Sequence, residues 1–171
     1  MSRVQLALNV NDIDEAVTFY SRLFGTEPAK RRPGYANFAV AQPPLKLVLL
    51  ENPGHGGTLN HLGIEVPDTD TVDAEQARLA GAGLASTDER GTTCCYAKQD
   101  KFWVDGAPDG QSWEIYTVRE DSPTFFGDDA TAAARWGGST TGPAEGGSAV
   151  CCGGSVQEAA DPAAASAAPC C

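Results

Sequence analysis

Two stretches, QLALNVNDID (5–14) and HLGIEVPDTD (61–70), can be set one above the other without a gap. Leu6 then falls on Leu62, Leu8 on Ile64, Val10 on Val66, Asp12 on Asp68 and Asp14 on Asp70. The offset of 56 (61 − 5) persists into the next segment, where SRLFG (21–25) meets ARLAG (77–81). An offset held over about twenty residues indicates duplicated modules. Whatever fold the chain adopts must therefore be built twice.

Each copy opens on an alternating strand and continues as a helix. In the first, Asp12 and Glu15 have capping-box spacing, Ile13, Ala16, Val17, Tyr20, Leu23 and Phe24 recur at helical intervals, and Gly25 closes the helix. In the second, Thr69 or Asp70 is expected to cap a helix that Gly81 ends. Three strand-like runs follow each helix: EPAKRR, YANFAVA and LKLVLLE, then LASTDER, KFWVD and QSWEIYT. The turn APDG (107–110) joins the last two runs. The pattern is βαβββ twice, an α+β domain over 1–120 with modules 1–56 and 57–120.

After about residue 127 the composition shifts to Gly, Ala and Ser, too poor in apolar side chains to offset ordering entropy. Beyond Trp136 there is no Leu, Ile, Met, Phe, Tyr, Lys or Arg. Residues 121–171 are therefore read as a flexible tail. The net charge of -11 excludes a typical nucleic-acid binder and an anionic membrane surface. No apolar run approaches the roughly 18 to 20 residues that span a bilayer. The N-terminus, MSRVQLALNVNDIDE, has no signal-peptide pattern, so a cytoplasmic location is expected. Six cysteines form three adjacent pairs, Cys94–Cys95, Cys151–Cys152 and Cys170–Cys171. Neighbouring cysteines do not staple distant segments, and in a reducing compartment they stay thiols, suited to a soft ion or a redox event.

The duplication also places chemistry. Gln5 and His61 occupy equivalent positions of the first strands, and Leu47-Val48-Leu49 aligns with Trp113-Glu114-Ile115 in the last strands. Glu114 is an ionisable residue in a strand otherwise suited to burial, where a charge needs a partner. A metal ion would be one. Gln5, His61 and Glu114 offer an amide oxygen, an imidazole nitrogen and a carboxylate, a variant of the facial triad of non-haem Fe(II) oxygenases. The fourth equivalent position, Val48, cannot ligate, which leaves places for exogenous ligands. Taken singly, Gln5 also reads as a solvent-facing residue, His61 as a hydrogen-bonded histidine and Glu114 as an outward-pointing acid. His55, in NPGHGG, reads as a loop residue.

The modules differ in one respect. Between helix end and final strand the second (81 to 114) is ten residues longer than the first (25 to 48), and Cys94–Cys95 lies in that interval. The expectation is a longer, mobile loop carrying a dithiol, able to close over the metal.

With these residues in place, the chain resembles the vicinal oxygen chelate superfamily of glyoxalases and extradiol dioxygenases. Within it, CCYAKQDKFWV followed by PDGQSWEIYTV is similar to the organoarsenical carbon–arsenic lyases and the related cadmium-induced proteins. The resemblance covers about residues 1–120, and the CCYAKQDKFW string is more specific than a fold that hosts many chemistries. It implies an Fe(II)- and O₂-dependent enzyme that cleaves the C–As bond of trivalent organoarsenicals, methylarsonous acid and reduced aromatic arsenicals among them, and releases inorganic As(III). It implies metal ligands at Gln5, His61 and Glu114 and arsenic-binding thiols at Cys94 and Cys95. Lys98 or Lys101 would favour thiolates and Tyr96 would shield the closed site; an exposed strand edge is the ordinary alternative for all three. Two competing functions follow from the same residues: a thiol-based Cd(II) or As(III) binding protein without catalysis, and another metal-dependent enzyme of the superfamily. Either a monomer or a homodimer accommodates the paired modules.

Overall fold

The structure is a computed structural model that describes residues 2–127. The tail pairs Cys151–Cys152 and Cys170–Cys171 lie outside the described residues. The first module runs β1 (Arg3–Val10), α1 (Ile13–Phe24), β2 (Lys30–Arg32), β3 (Tyr35–Val40) and β4 (Leu45–Glu51). The second runs β5 (Leu59–Glu65), α2 (Thr69–Gly81), β6 (Ser86–Cys94), β7 (Ala97–Val104) and β8 (Trp113–Asp121). This is βαβββ twice.

All eight strands form one mixed sheet in the order β2-β3-β4-β1-β5-β8-β7-β6. Exchanging the modules reverses this order and leaves it otherwise unchanged, which is what a pseudo-two-fold axis between β1 and β5 produces. The register carries the same symmetry. In the antiparallel β1–β5 pair Gln5 faces Gly63 and Ala7 faces His61. Adding 56 turns Gln5 into His61 and Ala7 into Gly63, so exchanging the modules turns one pair into the other. In the parallel pairs Ala7 neighbours Val48 and Gly63 neighbours Glu114. Val48 and Glu114 are thus true equivalents.

Local signals fix the helices. Asp12 caps α1, accepting from the backbone N–H groups of Asp14 and Glu15, and Gly25 closes it at φ 64°. The α2 cap is Asp68, one residue before the expected Thr69 or Asp70; its carboxylate accepts from the backbone N–H and hydroxyl of Thr71. Aspartate wins because Thr69 already lies inside the first turn and donates its hydroxyl to Asp100. Each helix covers one half of the outer sheet face. Ile13 and Val17 of α1 pack with Phe38, Leu47 and Leu49, and Val72 of α2 packs with Phe102 and Ile115. Among the described residues no helix is long and apolar enough to cross a membrane.

The other face is turned inward. Lys30 on the edge strand β2 donates to the carbonyl of Tyr96 at the opposite end of the sheet, and the rings of Tyr35 and Tyr96 lie 5.5 Å apart. A sheet whose two ends touch is curled, and the alternate residues of every strand line its interior. Packing continues past residue 120. Phe125 and Phe126 are buried against Tyr35, Cys94 and Tyr96, and Phe126 bridges to Cys94.

The ten additional residues of the second module do not form a mobile loop. They lengthen the hairpin to strands of 9 and 8 residues, against 3 and 6 for β2 and β3. Cys94 pairs with Ala97, so Cys95 and Tyr96 are the two central residues of a tight turn, at φ 58° and 59°. Two positive φ angles in a two-residue hairpin mark a type I′ turn, a geometry usually given to Asn-Gly. Because Cys-Tyr is no turn signal in sequence, the hairpin was hidden.

Candidate metal and dithiol site

Gln5, His61 and Glu114 project from β1, β5 and β8 into the interior, and all three are buried. Gln5 Nε2 lies 2.9 Å from His61 Nε2 and donates to Glu114 Oε1 at 2.7 Å; His61 Nε2 is 3.3 Å from the same carboxylate oxygen. The three predicted ligands therefore converge on one point. Gly63 makes the convergence possible, since a Cβ there would lie 3.1 Å from Glu114 Cγ and 3.2 Å from Gln5 Nε2. Its module-one equivalent is Ala7, so this glycine belongs to the site rather than to the fold.

Second contacts orient each group. His61 Nδ1 is 2.7 Å from Asn60 Oδ1, and Asn60 Nδ2 donates to Asn9 Oδ1, so the asparagine oxygen is turned towards the ring. That oxygen can only accept, which places the imidazole proton on Nδ1 and leaves the Nε2 lone pair facing the interior. Glu114 Oε2 accepts from Lys101 Nζ at 3.2 Å, leaving Oε1 for the convergence point. Tyr116 donates to Gln5 Oε1 at 2.5 Å. Trp103 packs against the cluster, its ring 5.6 Å from that of His61 and 4.9 Å from Lys101 Nζ.

Glu114 thus has the partner a buried charge requires, and the chain itself supplies it. Burial alone would raise the carboxyl pKa, but the Lys101 ammonium holds it well below the usual carboxylate range. Burial alone would lower the Lys101 pKa, but Cys94, Glu114, Glu89 and Cys95 drive it far above the ordinary lysine value. Lys101 is fully buried, with Glu89 Oε2 at 3.7 Å on its other side. Lys98, by contrast, pairs with Glu120 at the surface, 45% exposed, and takes no part.

The sulfurs border the same cavity, of about 260 Å³, as Gln5, His61, Glu114 and Lys101. Both are free thiols 3.0 Å apart, Cys94 buried and Cys95 half-buried. A hydrogen bond from Cys95, with help from Lys101, lowers the Cys94 pKa in spite of burial. That bond, together with burial, pushes Cys95 well up. The pair therefore favours one thiolate bonded to one thiol. Tyr96, next in the turn, packs its ring between Tyr35 and Phe125. His55 stays in its loop, its carbonyl accepting from Thr58.

Among the described residues no three His, Cys, Asp or Glu side chains cluster as a cation site. The donor set needs the Gln5 amide to be complete. With it, one neutral imidazole, one amide and one carboxylate oxygen form a hard N/O set that fits a first-row divalent ion such as Fe(II). The residues present fit such an ion.

The sequence-family model for the glyoxalase/bleomycin resistance protein/dioxygenase superfamily matches residues 3–115. The chain belongs to this superfamily. Members similar to it include the cadmium-induced protein CadI of Mycobacterium tuberculosis, 70% identical over 73% of this chain and 82% of the relative. A trivalent organoarsenical cleaving enzyme of Thermomonospora curvata is 56% identical over 77% of this chain and 87% of its own length. In fold, the chain is similar to a Mn(II)-bound glyoxalase from Novosphingobium aromaticivorans, with a TM-score of 0.50, 21% identity and coverage of 82% of this chain and 46% of that one. Superfamily architecture accounts for the paired modules.

Three site residues escaped the reading of the sequence. Tyr116 sits two positions beyond Glu114 on the same strand face, where the first module has Leu50, and that polar replacement was the available signal. Gly63 differed from Ala7 only by a methyl group, and Asn60 stands where the first module has Val4, a polar replacement of the same kind.

Proposed function

We propose that this protein cleaves the carbon–arsenic bond of trivalent organoarsenicals with Fe(II) and O₂, releasing inorganic As(III). The observation that carries this reading is the common cavity: a soft sulfur pair and a hard N/O cluster border it together. The 56% identity to a trivalent organoarsenical cleaving enzyme supports the choice of substrate.

A trivalent organoarsenical, R–As(OH)₂, has two exchangeable hydroxyls. Cys94 thiolate displaces one as hydroxide and the Cys95 thiol the other as water; two As–S bonds form, two As–O bonds break, and the hydroxide takes a proton from solvent to leave as the second water. Sulfurs 3.0 Å apart suit one bridging atom. The cavity keeps R and arsenic beside Gln5, His61 and Glu114, so that a bimolecular encounter becomes intramolecular, a factor on the order of 7 to 11 kcal/mol when the geometry is good. Gln5, His61 and Glu114 would hold the iron, which when bound supplies the oxygen chemistry. Asn60 holds the imidazole in its ligating tautomer, and Lys101 holds Glu114 ionised and favours the thiolate. Tyr96 and Phe125 exclude water from the sulfur side.

The test is aerobic incubation of Fe(II)-loaded protein with methylarsonous acid and thiol, measuring arsenite. Wild type should release arsenite, while Glu114→Ala should bind the arsenical and release none. The Cys94→Ser/Cys95→Ser variant should do neither.

The 70% identity to a cadmium-induced protein favours a second reading, sequestration of Cd(II) or As(III) by the thiols alone. Glu114→Ala separates the two, because a thiol buffer needs no carboxylate and would keep all its function. A double serine variant that remains fully active on some other substrate would point to a different superfamily chemistry.

A further inference from the structure

Tyr116 has one hydroxyl proton and two acceptors within reach, Gln5 Oε1 at 2.5 Å and Glu65 Oε2 at 3.0 Å. It can serve only one of them as a donor. The Gln5 amide meanwhile turns its Nε2 end to His61 and Glu114. Its two hydrogens satisfy two acceptors, and the NH₂ group does what a cation would do there.

Rotating the amide by half a turn exchanges its ends. Nε2 then donates to the Tyr116 oxygen, and Tyr116 keeps its proton and turns its O–H to donate to Glu65 Oε2. Oε1 joins His61 Nε2 and Glu114 Oε1, so that three acceptors face one point, an arrangement that repels unless a cation lies among them. Glu65 is a ready acceptor for that hydrogen bond, since Arg3 at 2.9 Å and Lys46 at 3.0 Å hold it as a carboxylate. We infer that Tyr116, with Glu65, is a positioning pair that lets the Gln5 amide present nitrogen to the metal-free site and oxygen to a bound metal.

The duplication marks the same two residues. Glu65 neighbours Tyr116 in the β5–β8 register, and the equivalent neighbours in β1–β4 are Asn9 and Leu50. The module that supplies the carboxylate ligand thus also replaces an amide and an aliphatic side chain with an acid and a phenol, one step along the same face.

This inference rests on the metal reading of the site proposed above, and it is testable without arsenic. Mn(II), a hard ion that leaves thiols alone, is titrated into the full-length chain and free ion is followed by electron paramagnetic resonance. His61→Ala should abolish tight binding. Tyr116→Phe should weaken it about 10- to 100-fold, as the loss of an outer partner does at metal sites. The decisive comparison uses Gln5→Glu, whose two ends are both oxygen and need no orienting. In that background, adding Tyr116→Phe should change affinity by no more than about twofold, the scatter of independent changes.

An equal penalty in both backgrounds, or none in either, overturns the inference, since a merely structural hydroxyl would behave in one of those ways. Glu65→Gln, which keeps size and shape, gives the same comparison if Tyr116→Phe does not fold. Unchanged Mn(II) binding in His61→Ala, or no binding by wild type, instead removes the metal site itself. Arsenite release plays no part in this readout, so the arsenical reading stands or falls separately.

Discussion

At the scale of single residues, the two cysteines are unlike one another although adjacent. Cys94 is a buried strand end whose pKa is lowered by the Cys95 hydrogen bond and by Lys101, while the same bond and burial push the Cys95 pKa up. With the four tail cysteines changed to serine, an ultraviolet thiolate titration should show one thiol ionising below the ordinary value of about 8.5 and a second well above it. A lowered pKa means that the thiolate persists to lower pH than a free thiol would, so capture of arsenic should start there. Lys101→Met should move the first midpoint upward, and coincident ordinary midpoints would remove the distinction. Gly63 acts on the other half of the cavity. A methyl there meets Glu114 and Gln5 within about 3 Å, so Gly63→Ala should cost metal affinity about tenfold, the low end for disturbed ligand orientation. Isothermal titration with Mn(II) measures it, and wild-type affinity would show that the ligands have room to spare.

At the scale of elements, the dithiol is delivered by a strained turn held down by aromatic rings. Cys95 and Tyr96 both take the left-handed region, at roughly 1–2 kcal/mol each. The Tyr96 ring, between Tyr35 and Phe125, contributes more, since truncating a core aromatic costs about 3–5 kcal/mol. Tyr96→Gly removes strain and packing together and should destabilise by about 2 kcal/mol in urea unfolding; a stabilised variant would mean that strain outweighs the rings. This element also shows where sequence reading stops. The strands and helices of both modules were legible because alternation, Asp caps and Gly stops are local, and the equivalence of Gln5 with His61 followed from the repeat alone. The hairpin was not legible, because its stability comes from Tyr35, Phe125 and Phe126, all distant in sequence. Lys101 was visible only as one of two lysines, and burial between Glu89 and Glu114 decides between them.

At the scale of the whole molecule, the pseudo-two-fold builds one scaffold from two similar halves and assigns chemistry unequally. Module one gives Gln5 and the apolar Val48 and Leu50; module two gives His61, Glu114, Tyr116, Lys101 and the sulfurs. The inner face is closed at the sulfur end by Phe125 and Phe126, beyond the last strand. A chain ending at residue 127 should therefore unfold at nearly the full-length temperature, whereas one ending at 120 should lose several degrees, since two buried aromatic side chains go with it. Equal melting temperatures by calorimetry would show that these phenylalanines contribute no packing.

The central claim is that sulfur clamp and metal centre are two halves of one cavity. Anomalous scattering from crystals holding both Mn(II) and a trivalent phenylarsenical tests it most directly. The account predicts arsenic density bridging Cys94 and Cys95, and manganese density among Gln5, His61 and Glu114, with both in the same cavity. Arsenic bound elsewhere, or manganese drawn to the sulfurs, would contradict it.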